Sequence, residues 1–108
     1  MNGFGVVIGQ GGATEAFAFE TLTATNGAAV GTNDVLCAGA SRAVFTFEAG
    51  SARFRYDGSA PTTTVGHLVA ISAGNTVSVI VEGAQNIVYM QIIATTATNS
   101  TISVTYEK

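Results

Sequence analysis

The sequence predicts an all-β domain, a sandwich or barrel of seven to eight short antiparallel strands, and three observations carry that reading. Runs rich in Val, Ile, Thr, Phe and Tyr recur at 15–24, 42–49, 52–57, 65–72, 76–82, 87–95 and 101–107, and such side chains suit a pleated surface. Turn residues separate these runs. No window sustains the 3.6-residue apolar period, with caps, that an amphipathic helix requires.

Taken in order, residues 1–13 form a Gly-rich N-terminal arm, and 14–108 form a single β-sandwich domain. The arm is either flexible or an irregular edge strand. Glycine is costly to order, so its apolar trio Val6, Val7 and Ile8 is expected to be fixed only where it finds a groove, such as one on a neighbouring subunit. The run 42–57 reads as a hairpin turning at Gly50-Ser51, a type II′ turn with Gly at the first central position. That register sets Glu48 opposite Arg53, Phe47 opposite Phe54, Thr46 opposite Arg55 and Phe45 opposite Tyr56, so one face is aromatic and the other polar. A second hairpin is expected at Gly74-Asn75, aligning Ala70 with Val79 and Leu68 with Val81. Both of its faces are apolar, which implies cover on each side. The run from Ile87 to Ile93 reads as a similarly two-sided strand. Thr101 to Tyr106 alternates cleanly, with Ile102, Val104 and Tyr106 directed inward.

Composition narrows the function. A chain of 108 residues without a composition break fits one domain. Only 10% of residues are charged, against about 25% in ordinary soluble domains, and 47% are hydrophobic. A solvent face of Thr, Ser, Asn, Gly and Ala packs closely against other subunits, because no ion has to be desolvated. The net charge is −3 and there are four basic residues, Arg42, Arg53, Arg55 and Lys108, too few for the basic stripe that neutralises nucleic-acid phosphates. No apolar run approaches the roughly 18 residues of a membrane span. The start, Met1-Asn2-Gly3-Phe4-Gly5, has no basic segment and reads as no signal peptide, so synthesis and use in a cytoplasm are expected. The single cysteine, Cys37, fits a reducing compartment and is expected to be a small buried hydrophobe.

Catalytic and cofactor chemistry finds no motif. His67, the sole histidine, opens a strand and is expected to be a packed, hydrogen-bonded structural residue; as a base it would need an orienting acid and a nucleophile. One histidine also falls short of a zinc site. The seven acids, Glu15, Glu20, Asp34, Glu48, Asp57, Glu82 and Glu107, follow no calcium-loop spacing. Gly9-Gln10-Gly11-Gly12 lacks the Lys-Ser/Thr of a phosphate loop. We therefore expect no enzyme activity, no metal and no cofactor. The arginines admit two readings: surface pairs of Arg53 with Glu48 and of Arg55 or Arg42 with Asp57, or forked donors that grip carboxylates on a partner protein. With Val6, Val7 and Ile8, the residues Arg42, Arg53 and Arg55 are the candidate protein-binding set.

Arg53-Phe54-Arg55-Tyr56-Asp57-Gly58, followed by Pro61-Thr62 and by Gly66-His67-Leu68, resembles a strand and loop found in a family of small structural proteins of tailed bacteriophages. The closing Ile92-Ile93-Ala94-Thr95 and Thr101 to Glu107 add to the likeness, which covers roughly the C-terminal half of the chain. The resemblance implies a virion component with a β-sandwich or jelly-roll fold, a decoration (cement) protein on the capsid surface. Such proteins are commonly homotrimers and lock neighbouring subunits of the major capsid protein together, after assembly in the host cytoplasm. A head–tail or tail-associated protein would need much the same surface. From another class comes a carbohydrate-binding sandwich, with Tyr56, Tyr89 and Tyr106 as platform candidates. A hydrolase that gathers His67 with acids is the third reading.

Overall fold

The structure is a computed structural model that describes residues 14–108. The arm expected over 1–13, with Val6, Val7 and Ile8, lies outside the described residues. Eight strands and one short helix follow in the order β1 (Ala16–Ala24), β2 (Val30–Gly31), β3 (Arg42–Ala49), β4 (Ala52–Arg55), β5 (His67–Val69), β6 (Val77–Glu82), α1 (Ala84–Val88), β7 (Gln91–Ala94) and β8 (Ser100–Glu107). They form two four-stranded antiparallel sheets, β1-β8-β3-β6 and β2-β7-β4-β5. Each strand pairs with its mirror image in chain order: β1 with β8, β2 with β7, β3 with β6 and β4 with β5. The chain is thus one long antiparallel ribbon whose tip is the β4–β5 loop. Rolled up, the ribbon adds the β3–β8 and β4–β7 pairings and closes as a jelly roll.

The core follows from alternation. Ile102, Val104 and Tyr106 point inward from β8 and are fully buried, next to Phe47, Phe45 and Ala43 of β3. Ala52 and Phe54 of β4 and Ile92 and Ala94 of β7 face them from the other layer. Phe47 and Phe54 meet across the two layers with ring centroids 6.3 Å apart. An aromatic pair of this kind adds about 0.5–1.5 kcal/mol to the area it buries. Cys37 is buried in the same core, as its apolar reading expected.

The two expected hairpins are not formed. Gly50-Ser51 does join β3 to β4, but the strands lie in different sheets, so Phe47 meets Phe54 through the core rather than along a ladder. Gly74-Asn75 likewise lies between β5 and β6, one in each sheet. Leu68 and Ile80, expected to be covered, are exposed on the outer faces of opposite sheets. The run 87–95 is also not one strand. Gly83, at φ 98°, ends β6, Ile87 donates its N–H to the Gly83 carbonyl, and α1 follows before β7 begins. Ile87 and Met90, three residues apart, are both fully buried. That spacing is helical, and it explains an apolar run that looked two-sided.

Candidate functional site

The resemblance-bearing segment builds the ribbon tip. Arg53 lies on the outer face of β4 and donates from Nε to the Thr63 carbonyl (3.2 Å) and from Nη1 to the Gly66 carbonyl (2.8 Å), pinning the loop to the sheet. Within the loop, Thr62 and Val65 exchange backbone hydrogen bonds of 2.9 and 3.3 Å, and Pro61 is buried. Gly66 sits at φ +131°, where a Cβ would stand 3.0 Å from the Phe54 carbonyl oxygen and 3.3 Å from the Arg53 Cβ. Any larger residue there would be strained by that backbone conformation and would press its neighbours back by a few tenths of an ångström. Arg55 grips Asp57 with both arms of its guanidinium, Nε donating to Oδ1 at 3.0 Å, and Asp57 Oδ1 also accepts the Ser59 N–H. The hydrogen bond from Arg55 holds the Asp57 carboxyl below its usual range, and the same bond raises the guanidinium further. The expected pair of Arg55 with Asp57 is therefore present. That of Arg53 with Glu48 is not: Glu48 stands at a register shift between Phe47 and Ala49 and accepts the Ser103 hydroxyl.

His67 opens β5 in register with Phe54. Its ring lies 5.1 Å from Phe54 and 5.9 Å from Tyr56, the latter nearly parallel at 21°, and Tyr56 in turn stacks on Phe54 at 6.3 Å. The three rings form one wall of a cleft of about 280 Å³ where the sandwich opens between the edge strands β5 and β6. Val79, Ile80, Val81 and Glu82 of β6 and Asn86 of α1 form the rest. The Asn86 amide donates to the Glu82 carbonyl at 3.0 Å, which fixes its carboxamide. A second depression of about 240 Å³, lined by Arg55, Tyr56, Asp57 and His67, shares the Tyr56 and His67 rings with the first. Glu82 and Asn86 escaped sequence reasoning, because only the sheet order brings β6 and α1 to this edge.

Arg42 lies elsewhere, on the outer face of the β1-β8-β3-β6 sheet. It is in register with Glu82 on one side and Glu107 on the other, and its Nε stands 3.5 Å from Glu107 Oε1. Glu107 is buried and also accepts the Thr14 hydroxyl. Next to that ionic row runs Phe19-Thr105-Val44-Ile80, and beyond it Thr21-Ser103-Thr46-Ser78, each crossing all four strands. Both rows are uncharged. Phe19 stands 58% exposed in the first of them.

At the opposite edge, the Tyr106 hydroxyl donates to Glu20, which also accepts the Asn33 N–H at 3.0 Å. Burial, and then this bond to Glu20, raises the Tyr106 phenol well above its ordinary value. Among the described residues no group of three His, Cys, Asp or Glu is placed to hold a metal ion, and no helix is long and apolar enough to cross a membrane. No protein-family model, curated protein or solved structure matches the chain.

Proposed function

We propose that the chain is a non-enzymatic structural protein of a virion, a decoration protein that binds and stabilises neighbouring capsid subunits as a homotrimer. The observation that carries the reading is the outer face of the β1-β8-β3-β6 sheet, where two full rows of Thr, Ser, Phe, Val and Ile contain no charge and Phe19 remains 58% exposed. Covering a half-exposed aromatic or aliphatic side chain contributes on the order of 1 kcal/mol, and the Thr46 and Ser78 hydroxyls are paired with each other at 3.2 Å, so burying them strands neither; Ser103 is bonded to the Glu48 carboxylate at the border of the row. Arg42 is consistent with this role, since Glu107 already balances it and it brings no bare charge to an interface. The jelly roll itself hosts both capsid and lectin domains, so it does not decide between them.

The test is the oligomeric state by light scattering together with co-sedimentation on assembled capsids. The expected result is a trimer that pellets with capsids, and a Phe19→Asp variant that stays folded but loses both properties. A monomer that remains in the supernatant would refute the reading.

A further inference from the structure

We infer that the cleft between β5 and β6 binds a neutral saccharide, with the Tyr56 ring as its stacking surface. The inference centres on Tyr56 and His67 at the edge of the other sheet and does not rest on the association reading, although Ile80 and Glu82 of β6 border both surfaces. Tyr56 is 41% exposed, yet its ring is held in place by stacking on Phe54 at 24° and on His67 at 21°. A ring that is already ordered gives up little rotamer freedom when a ligand lands on it. A pyranose offers what such a ring accepts: a face of C–H groups to lie on the π surface, and a rim of hydroxyls that need donors and acceptors close by.

The rim groups are present on both sides of Tyr56. Glu82 and the fixed carboxamide of Asn86 stand in the larger depression, and the hydrogen-bonded Arg55–Asp57 pair stands in the smaller. These are planar groups that meet vicinal hydroxyls in pairs. Size narrows the ligand. At about 280 and 240 Å³ each depression falls below the ~300–1,000 Å³ of sites for drug-sized ligands and suits one sugar ring. Because Tyr56 and His67 line both, a disaccharide can place one ring on each side of the aromatic wall. Charge narrows it again. Arg55 is neutralised by Asp57, Glu82 stands in register with Arg42, and the chain carries −3, so a uronic acid or phosphosugar gains no charge attraction in the cleft.

Amide chemical shifts of the labelled protein, titrated with neutral pentoses, hexoses and N-acetylhexosamines, their disaccharides and a uronic acid, test the inference. The expected result is saturable shifts confined to the segments around Tyr56, His67, Glu82 and Asn86, with a neutral disaccharide about tenfold tighter than its monosaccharide. Tyr56→Ala should weaken binding at least about tenfold, Tyr56→Phe should retain most of it, and Thr98→Ala, in the exposed turn between β7 and β8, should leave it unchanged. Each variant is first checked for an unaltered spectrum away from the cleft. Absence of shifts with every neutral sugar, shifts elsewhere on the surface, preference for the uronic acid, or unchanged binding by a folded Tyr56→Ala variant would each overturn it. Loss of capsid binding in Phe19→Asp with sugar binding intact would separate the two surfaces.

Discussion

The Gly50-Ser51 corner and the Gly74-Asn75 turn look alike in sequence and are held in opposite ways. Both carry a glycine in the left-handed region, at φ +73° and +79°, and both pass the chain from one sheet to the other. At Gly50 the surroundings are backbone: an added Cβ would lie 2.2 Å from the Asn99 carbonyl oxygen and 2.9 Å from the Ser100 Cα. Ser100 Oγ donates to the Gly50 carbonyl at 2.8 Å, and Ser51 receives Thr95 at its carbonyl and Ile71 at its hydroxyl. At Gly74 an added Cβ meets nothing within 4 Å, and the turn closes on itself through Asn75 N–H to the Ser72 carbonyl. A glycine thus marks where the chain turns. What the turn must fit is set by segments up to fifty residues away.

Substitution should separate the two corners sharply. Gly50→Ala combines left-handed strain with a backbone clash and is expected to cost about 3 kcal/mol or more in chemical denaturation. Ser100→Ala, which removes the donation from the buried Ser100 hydroxyl to the Gly50 carbonyl, should cost about 1–2 kcal/mol. Gly74→Ala has only the backbone conformation against it and should cost about 1 kcal/mol. Equal losses at Gly50 and Gly74 would break the distinction.

The same contrast between long-range and local holds extends to the titrating pairs. Tyr106 and Glu20 are 86 residues apart, and the Tyr106 phenol is raised in the folded state, so its stabilising contribution is complete below about pH 10, the ordinary phenol value, and fades as pH climbs above it. Denaturation at rising alkaline pH should show that decline, and Tyr106→Phe should flatten it. Asp57, exposed and two residues from its Arg55 partner, is lowered on folding. Its contribution is present above the ordinary carboxylate range and lost as pH falls through the folded value. Asp57→Asn should flatten the acid limb by the smallest amount of the series.

Residue patterns located most strands because alternation is local. Thr101 to Tyr106 showed its buried face directly, and the bounds read for β1, β3 and β6 lie within a residue of those observed. Pairing was not legible, since a type II′ turn at Gly50 satisfies every local rule and only competition from β6 and β8 for the edges of β3 excludes it. β2, two residues long, carries too little pattern to detect, and α1 was hidden because Ile87 and Met90 continue the apolar run into β7. At the cleft, Tyr56 was read only as one of three tyrosines that could form a platform, and His67, expected to be packed and hydrogen-bonded, is exposed with its ring against Phe54 and Tyr56. Their adjacency depends on β4–β5 register, and the opposite wall on sheet order.

The mirror pairing of the ribbon also dictates how slowly the molecule can assemble. Glu15 and Lys108 exchange two backbone hydrogen bonds, and Thr14 reaches Glu107 across 93 residues of chain. Only the β4–β5 tip can zip from a short loop; each later pair encloses all the earlier ones, and the outermost must close the whole loop. Refolding is therefore expected in the millisecond-to-second range of proteins dominated by distant contacts, with exchange protection arising first near residues 52–69 and last in β1. A bond that forms last also shields least along the way, which leaves the β1 and β8 edges as the segments most open to mispairing before the roll is shut.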